Sequence, residues 1–140
     1  MQTIVNKAEK LKIEKQIIDW KMRVAALYSN IETWLLNSEY KLKNGAKLTM
    51  YEELMAQFEI PATAIETKNV YKEKAFILTL KPRGLWIIGA NGRIDVLTTT
   101  GNYILMDFAA QYETPQWKLF NGVNKNGIAF TKPAFLNLLK

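Results

Sequence analysis

The stretch AFILTLKPRGLWIIGANGRIDVLTTTGNYILMDF, residues 75 to 108, decides the fold. Short apolar runs alternate with Pro82, Gly84, Asn91-Gly92 and the threonine-rich segment ending at Gly101-Asn102, the pattern of brief strands separated by turns. The runs predict strands at 75–80, 85–90, 93–97 and 103–108, with two more at 117–120 and 128–131. Links this short predict an antiparallel meander of five or six strands.

Asn91-Gly92 is the strongest hairpin signal in the chain, because a two-residue turn of the type that matches strand twist needs positive φ at both positions. It sets Ala90 opposite Arg93, Ile88 opposite Asp95 and Trp86 opposite Leu97. Pairing Leu80 with Leu85, and Leu97 with Tyr103, then assigns the faces by alternation. One face carries Phe76, Leu78, Leu80, Leu85, Ile87, Gly89, Ile94, Val96, Ile104 and Met106, and is expected to be the core. The other carries Trp86, Ile88, Leu97, Tyr103 and Leu105 with Arg93, Asp95 and Asp107 at one end, Arg93 facing Asp107 across the strands. Such a face is either covered by the strands after 117 and the last helix or left open to a partner, with Trp86, Ile88, Arg93, Asp95, Tyr103 and Leu105 as the contact residues.

Working outward, residues 1–36 form a long amino-terminal helix and 37–140 the rest of the same single domain. From Thr3 to Leu36 there is no Gly or Pro, and Ile13, Ile17, Trp20, Val24, Leu27, Ile31 and Trp34 recur at alternating spacings of four and three. That is a heptad-like seam. A continuous helix of this length runs about 50 Å, against a body about 37 Å across, so its lysine-rich start is expected to project and offer Ile13, Ile17, Trp20 and Val24 to a second helix, as in a coiled coil. Asn37 to Leu48 reads as a connection. Thr49 and Glu52 form a capping box for a short helix bearing Met50, Leu54 and Phe58, and a further helical turn can follow Pro61. Thr131 and Pro133 begin a last helix burying Phe135, Leu136 and Leu139. The fold class is α+β: a long helix on an antiparallel meander, with a short carboxy-terminal helix.

The chain has no cysteine and no histidine, which removes disulfides, thiolate chemistry and the commonest general base and metal ligand. No apolar run approaches the ~20 residues that cross a bilayer, and the amino end lacks the apolar block of a secretion signal. A reducing, cytoplasmic setting is expected. Nineteen basic against thirteen acidic residues leave +6, carried mostly by lysine, which suits a solvated surface better than bidentate phosphate recognition. Lys72, Lys74, Lys81, Arg83 and Arg93, interleaved with aromatic residues, are the residues of an alternative nucleic-acid surface.

Glu53 to Ile65 resembles the helix-turn-helix family of DNA-binding motifs, with Leu54, Phe58, Ile60 and Ile65 at its apolar positions. Glu59 replaces the usual turn glycine, and six glutamates against three lysines between residues 32 and 66 oppose an approach to phosphates. A capped surface helix and a proline loop explain the same residues. Arg93, Asp95 and Asp107, with Glu113 downstream, are the one charged group that could bind Mg²⁺ or exchange protons, and a structural ion pair accounts for them equally. Gly84, Gly89 and Gly92 lie in a hairpin, not at a strand-to-helix phosphate loop. No cofactor or metal is expected. The reading that follows is a non-enzymatic interaction module, binding a protein partner or a second copy of itself through the helix and a sheet face.

Overall fold

The computed structural model describes residues 6–85, 90–121 and 126–140. Its elements run α1 (Lys7–Trp34), β1 (Tyr40–Met50), α2 (Glu53–Gln57), β2 (Thr63–Lys72), β3 (Ala75–Gly84), β4 (Arg93–Thr98), β5 (Asn102–Asp107), β6 (Trp117–Phe120), β7 (Ile128–Ala129) and α3 (Lys132–Leu138). The strands form one antiparallel sheet in sequence order, so the α+β meander is as expected, with seven strands in place of five or six.

Asn6 caps α1, its side chain accepting from the Ala8 and Glu9 amides at 2.9 and 3.1 Å. The seam is the core stripe of the molecule: Ile13, Ile17, Trp20, Val24, Leu27 and Ile31 are all buried against the chain's own body. It is therefore not a free coiled-coil surface, and contact extends back to Ile13, leaving only Lys7 to Lys12 beyond the body. The carboxy-terminal helix forms as its residues dictate. The Thr131 hydroxyl accepts from the Ala134 amide at 3.4 Å, and Phe135, fully buried, stacks with Trp34 and Phe130 at 5.9 Å each.

Several local expectations fail for physical reasons. Residues 40–50 are an edge strand, not a connection: Leu42 and Leu48 alternate with Lys41, Lys43 and Lys47, whose charge protects an open edge, and a bulge at Gly45-Ala46 breaks the register. A Cβ on Gly45 would lie 2.2 Å from the Thr67 hydroxyl. Thr49 belongs to this strand, so Glu52 alone holds the cap position of α2. The segment after Pro61 is β2, which removes the helix-turn-helix resemblance together with the extra helical turn. The β3 strand pairs directly with β4, Leu80 opposite Val96, so the pairing of Leu80 with Leu85 and the hairpin at Asn91-Gly92 do not form. Gly92 is needed for another reason. Its φ is +128°, and a Cβ there would meet the Trp20 ring at 2.1 Å.

The β4–β5 register differs by one residue from that expected. Thr98 closes the turn, its hydroxyl donating to the Gly101 carbonyl at 2.6 Å and accepting from the Gly101 amide at 3.0 Å, so Leu97 faces Asn102 and Arg93 faces Met106. A slip of one turns every side chain over. Leu105 and Asp107 are fully buried, Tyr103 packs against the core, and Ile104 and Met106 move to the outer face. Leu78, Leu80, Ile94 and Val96 are buried as expected, whereas Phe76 is exposed.

The ladder between β2 and β3 ends at Lys68 opposite Leu80. Beyond that point Thr63 to Glu66 pair with β1, and Lys81 to Gly84 pair with β4, so the sheet splits. Side chains of α1 fasten the β2 side of the split. The Tyr28 hydroxyl donates to the Glu66 carbonyl at 2.7 Å, and Lys21 donates to the Thr63 hydroxyl at 2.9 Å.

Burial, reinforced by the Glu66 carboxylate, pushes the Tyr28 phenol well above its ordinary range. A folded value above the unfolded one makes the contribution of Tyr28 whole below pH about 10 and lost as pH climbs through the folded value. We expect Tyr28→Phe to cost about 1 kcal/mol at neutral pH. The gap between wild type and variant should narrow above pH about 10; denaturant melts across that range, with tyrosinate absorbance as the second probe, check it.

Candidate functional site

Three features gather the chain's chemistry: a buried charge cluster, the outer face of α1 beside it, and the cleft where the sheet splits.

The cluster centres on Arg23, placed by the helical repeat one step from the seam and 3% exposed. Its Nη1 donates to Asp107 Oδ2 at 2.6 Å and its Nε to Asp19 Oδ2 at 2.8 Å, while Nη2 donates to the Ala110 and Glu113 carbonyls at 2.6 Å each. Asp107 Oδ1 accepts from the Ala109 and Gln116 amides at 3.0 and 2.9 Å. Burial works against the charged guanidinium, but the hydrogen bonds to Asp19 and Asp107 and their negative charge outweigh it and hold Arg23 above its ordinary value. Buried charges persist only when their hydrogen-bonding capacity is met, and here the backbone of the 108–116 loop meets it. The loop is further tied to the helix by Gln16 donating to Gln111 at 2.9 Å and the Tyr112 amide donating to Asp19 at 3.3 Å. Tyr112 is held at φ +66°, a position few side chains adopt unforced.

This fixed loop sets the exposed Tyr112 ring next to Ile18 and Met22, and these three with Lys15 and Asp19 line a shallow hollow of about 370 Å³. Leu11, Ile18 and Met22 are 53%, 58% and 65% exposed. At 100° per residue they fall on one line, diametrically opposite the buried seam. The helix is apolar on two faces, and only one is consumed.

The residues expected at a partner-binding sheet face are dispersed. Trp86 and Ile88 lie outside the described residues. Leu105 is fully buried, and Tyr103, half-buried, packs against the core and lines a small pocket with Leu119, Ile128 and Ala134. Arg93 and Asp95 remain on the outer face: Asp95 Oδ1 takes Arg93 at 2.8 Å and Oδ2 takes Arg83 at 3.1 Å. Alternation along β4 and β5 puts Asp95 and Asp107 on opposite sides of the sheet, so these carboxylates do not converge. Among the described residues no group of three or more acidic side chains could hold a metal ion. The nucleic-acid residues are also separated. Lys72, paired with Glu39 at 3.2 Å, sits at the β2–β3 turn with Lys74 nearby, whereas Lys81, Arg83 and Arg93 lie around the opposite end of β3, Lys81 across from Asp95 and the two arginines ion-paired with it.

The cleft between the split strands is a cavity of about 280 Å³ lined by Trp20, Leu48, Thr49, Met50, Ile65 and the β3 segment 81–84. The Glu52 carboxylate, at the start of α2, accepts from the Leu85 amide just after β3 at 3.3 Å. Sequence reasoning misses both the cluster and the cleft. The one legible signal was an Asp19–Arg23 pair one helical turn apart, facing an aspartate in the apolar run 103–108.

Comparison with protein-family models, with curated proteins and with solved structures finds no match for this chain. No helix among the described residues is long and apolar enough to cross a membrane.

Arg23→Leu leaves the buried Asp107 without a cation, holding only its two amide bonds, a loss of about 3–5 kcal/mol. Arg23→Lys should recover little of it, because a single ammonium cannot span four acceptors. Urea melts of both variants check the size, and a Lys variant as stable as wild type would show that charge alone suffices.

Proposed function

We propose that this chain is an interaction module that pairs with a second copy of itself through the outer face of α1, antiparallel and about a two-fold axis near residues 17 and 18. The observation carrying this reading is the line of Leu11, Ile18 and Met22, large apolar side chains each more than half exposed on a rigid helix. Scattered exposed apolar residues are ordinary, whereas three on one line of a helix, two of them beside a preorganised aromatic, make the kind of surface that partners cover.

The flanking charges favour a second copy over an unrelated helix. In an antiparallel pair, residues on the same flank face each other. Glu14 and Lys21 lie on one flank seven positions apart, so a centre midway between them sets Glu14 of each copy against Lys21 of the other. Lys15 and Asp19, four apart on the opposite flank, meet reciprocally under nearly the same centre. Leu11 then lies over the small Ala25 of the partner copy, and Ile18 sits at the axis. The surface is self-complementary in both shape and sign, as a two-fold interface must be. A stripe from Leu11 to Ala25 is only about 21 Å long, so the pairing belongs to the weak, concentration-dependent class.

Light scattering after gel filtration over a range of concentrations tests it. The wild-type mass should rise toward twice the monomer value. Glu14→Lys should hold the chain monomeric by setting lysines against each other, and the double exchange Glu14→Lys, Lys21→Glu should restore the dimer. Monomer at every concentration, or a dimer indifferent to both exchanges, contradicts the proposal.

A further inference from the structure

The split in the sheet leaves a site that the pairing of α1 does not use. We infer that the cleft between β2 and β3 binds a small molecule with an apolar body and a single carboxylate, of the medium-chain acid class.

The apolar part of the argument rests on the walls. Leu48, Met50 and Ile65 come from the β1–β2 ribbon, Pro82 from β3, and the Trp20 ring from α1, so three separate elements converge on one space. The space exists because β3 leaves β2 after Leu80, and Pro82, which has no N–H, follows directly. At about 30 Å³ for each water displaced, the 280 Å³ volume matches a molecule of about ten non-hydrogen atoms.

The anionic part rests on Lys81. Asp95 is its cross-strand neighbour, yet both Asp95 oxygens are occupied, one by Arg93 and the other by Arg83. Lys81 is half-buried at the cavity wall and makes no ion pair among the described residues. An unpaired ammonium at the edge of the cleft is where a carboxylate gains most, since each charge relieves the other. Arg83, on the same wall, adds positive potential. The charged side chains of the walls, Lys81 and Arg83, are both cations, and no carboxylate is among the lining residues. That favours an anionic ligand over a cationic one.

The test uses the full chain titrated with octanoate, and with octanol as the uncharged comparison, followed by amide chemical shifts and calorimetry. Octanoate should shift the amides of Leu48 to Met50, Ile65 and Lys81 to Gly84, and bind about tenfold or more tightly than octanol. Lys81→Gln should bring octanoate down to the level of octanol. Thr49→Trp, at an exposed position on the rim, should block both ligands while leaving the melting midpoint close to wild type. Equal binding of octanoate and octanol to wild type, an unchanged octanoate affinity in Lys81→Gln, or shifts confined to Leu11, Ile18, Met22 and Tyr112 would overturn the inference. None of these outcomes depends on whether the chain dimerises, so failure here and failure of the helix pairing are read separately.

Discussion

The docking of α1 on the sheet through Arg23 and Asp107 is the constraint on which the other features depend. The pair joins the middle of the helix to the end of β5, and the peptide groups of the following loop complete its hydrogen bonds. Taking two charges out of water costs several kcal/mol for each ion, and here four donors on Arg23 and two amides on Asp107 offset that cost with well-formed bonds. The result is geometric as much as energetic. An apolar seam alone tolerates sliding by a turn, whereas a fork bonded to two carboxylates and two carbonyls fits one position only.

That fixed position has two consequences. The helix spends its regular seam on its own core, with Trp20 pressed against the bare Cα of Gly92, so anything the helix offers to other molecules must come from the opposite side. The loop clamped by Arg23 delivers Tyr112 to that same side, making a surface whose aromatic member is already ordered before any partner arrives. Preorganisation of this kind lowers the entropy that association must overcome. On the other flank of the helix, Tyr28 and Lys21 fasten α1 to β2, which forms one wall of the cleft.

Much of this was legible in the chain. The four-and-three spacing from Ile13 to Trp34 located the core stripe, the threonine and proline at 131 and 133 located the last helix, and the density of turn residues after 84 announced a meander. What escaped has particular causes. The β1 strand is lysine-rich because it is an edge, so its apolar content falls below what a strand signal needs. The Asn91-Gly92 pair imitates a hairpin, although its glycine serves a helix contact about seventy residues away in the chain, a contact no local pattern encodes. The one-residue error in β5 follows from the Thr98 hydroxyl, which closes a tighter turn than the threonine run suggests, and it moved Leu105 and Tyr103 from surface to core. The same error concealed the Arg23–Asp107 pair, since it set Asp107 on the solvent side facing Arg93. The exposed stripe of α1 was overlooked for a different reason: a helix with one clear apolar seam does not prompt a search for a second.

The account stands most directly on the two-faced helix, and the absence of native cysteine makes a distance measurement simple. A single spin label introduced by Ser29→Cys, on the outer line but beyond the contact stripe, reports the separation between copies by dipolar spectroscopy. An antiparallel pair centred near residue 17.5 places the two labelled backbones about 35 Å apart along the helix axis. A separation near the ~10 Å of parallel packed helices, or no dipolar coupling at concentrations where the protein is dimeric by mass, would contradict it.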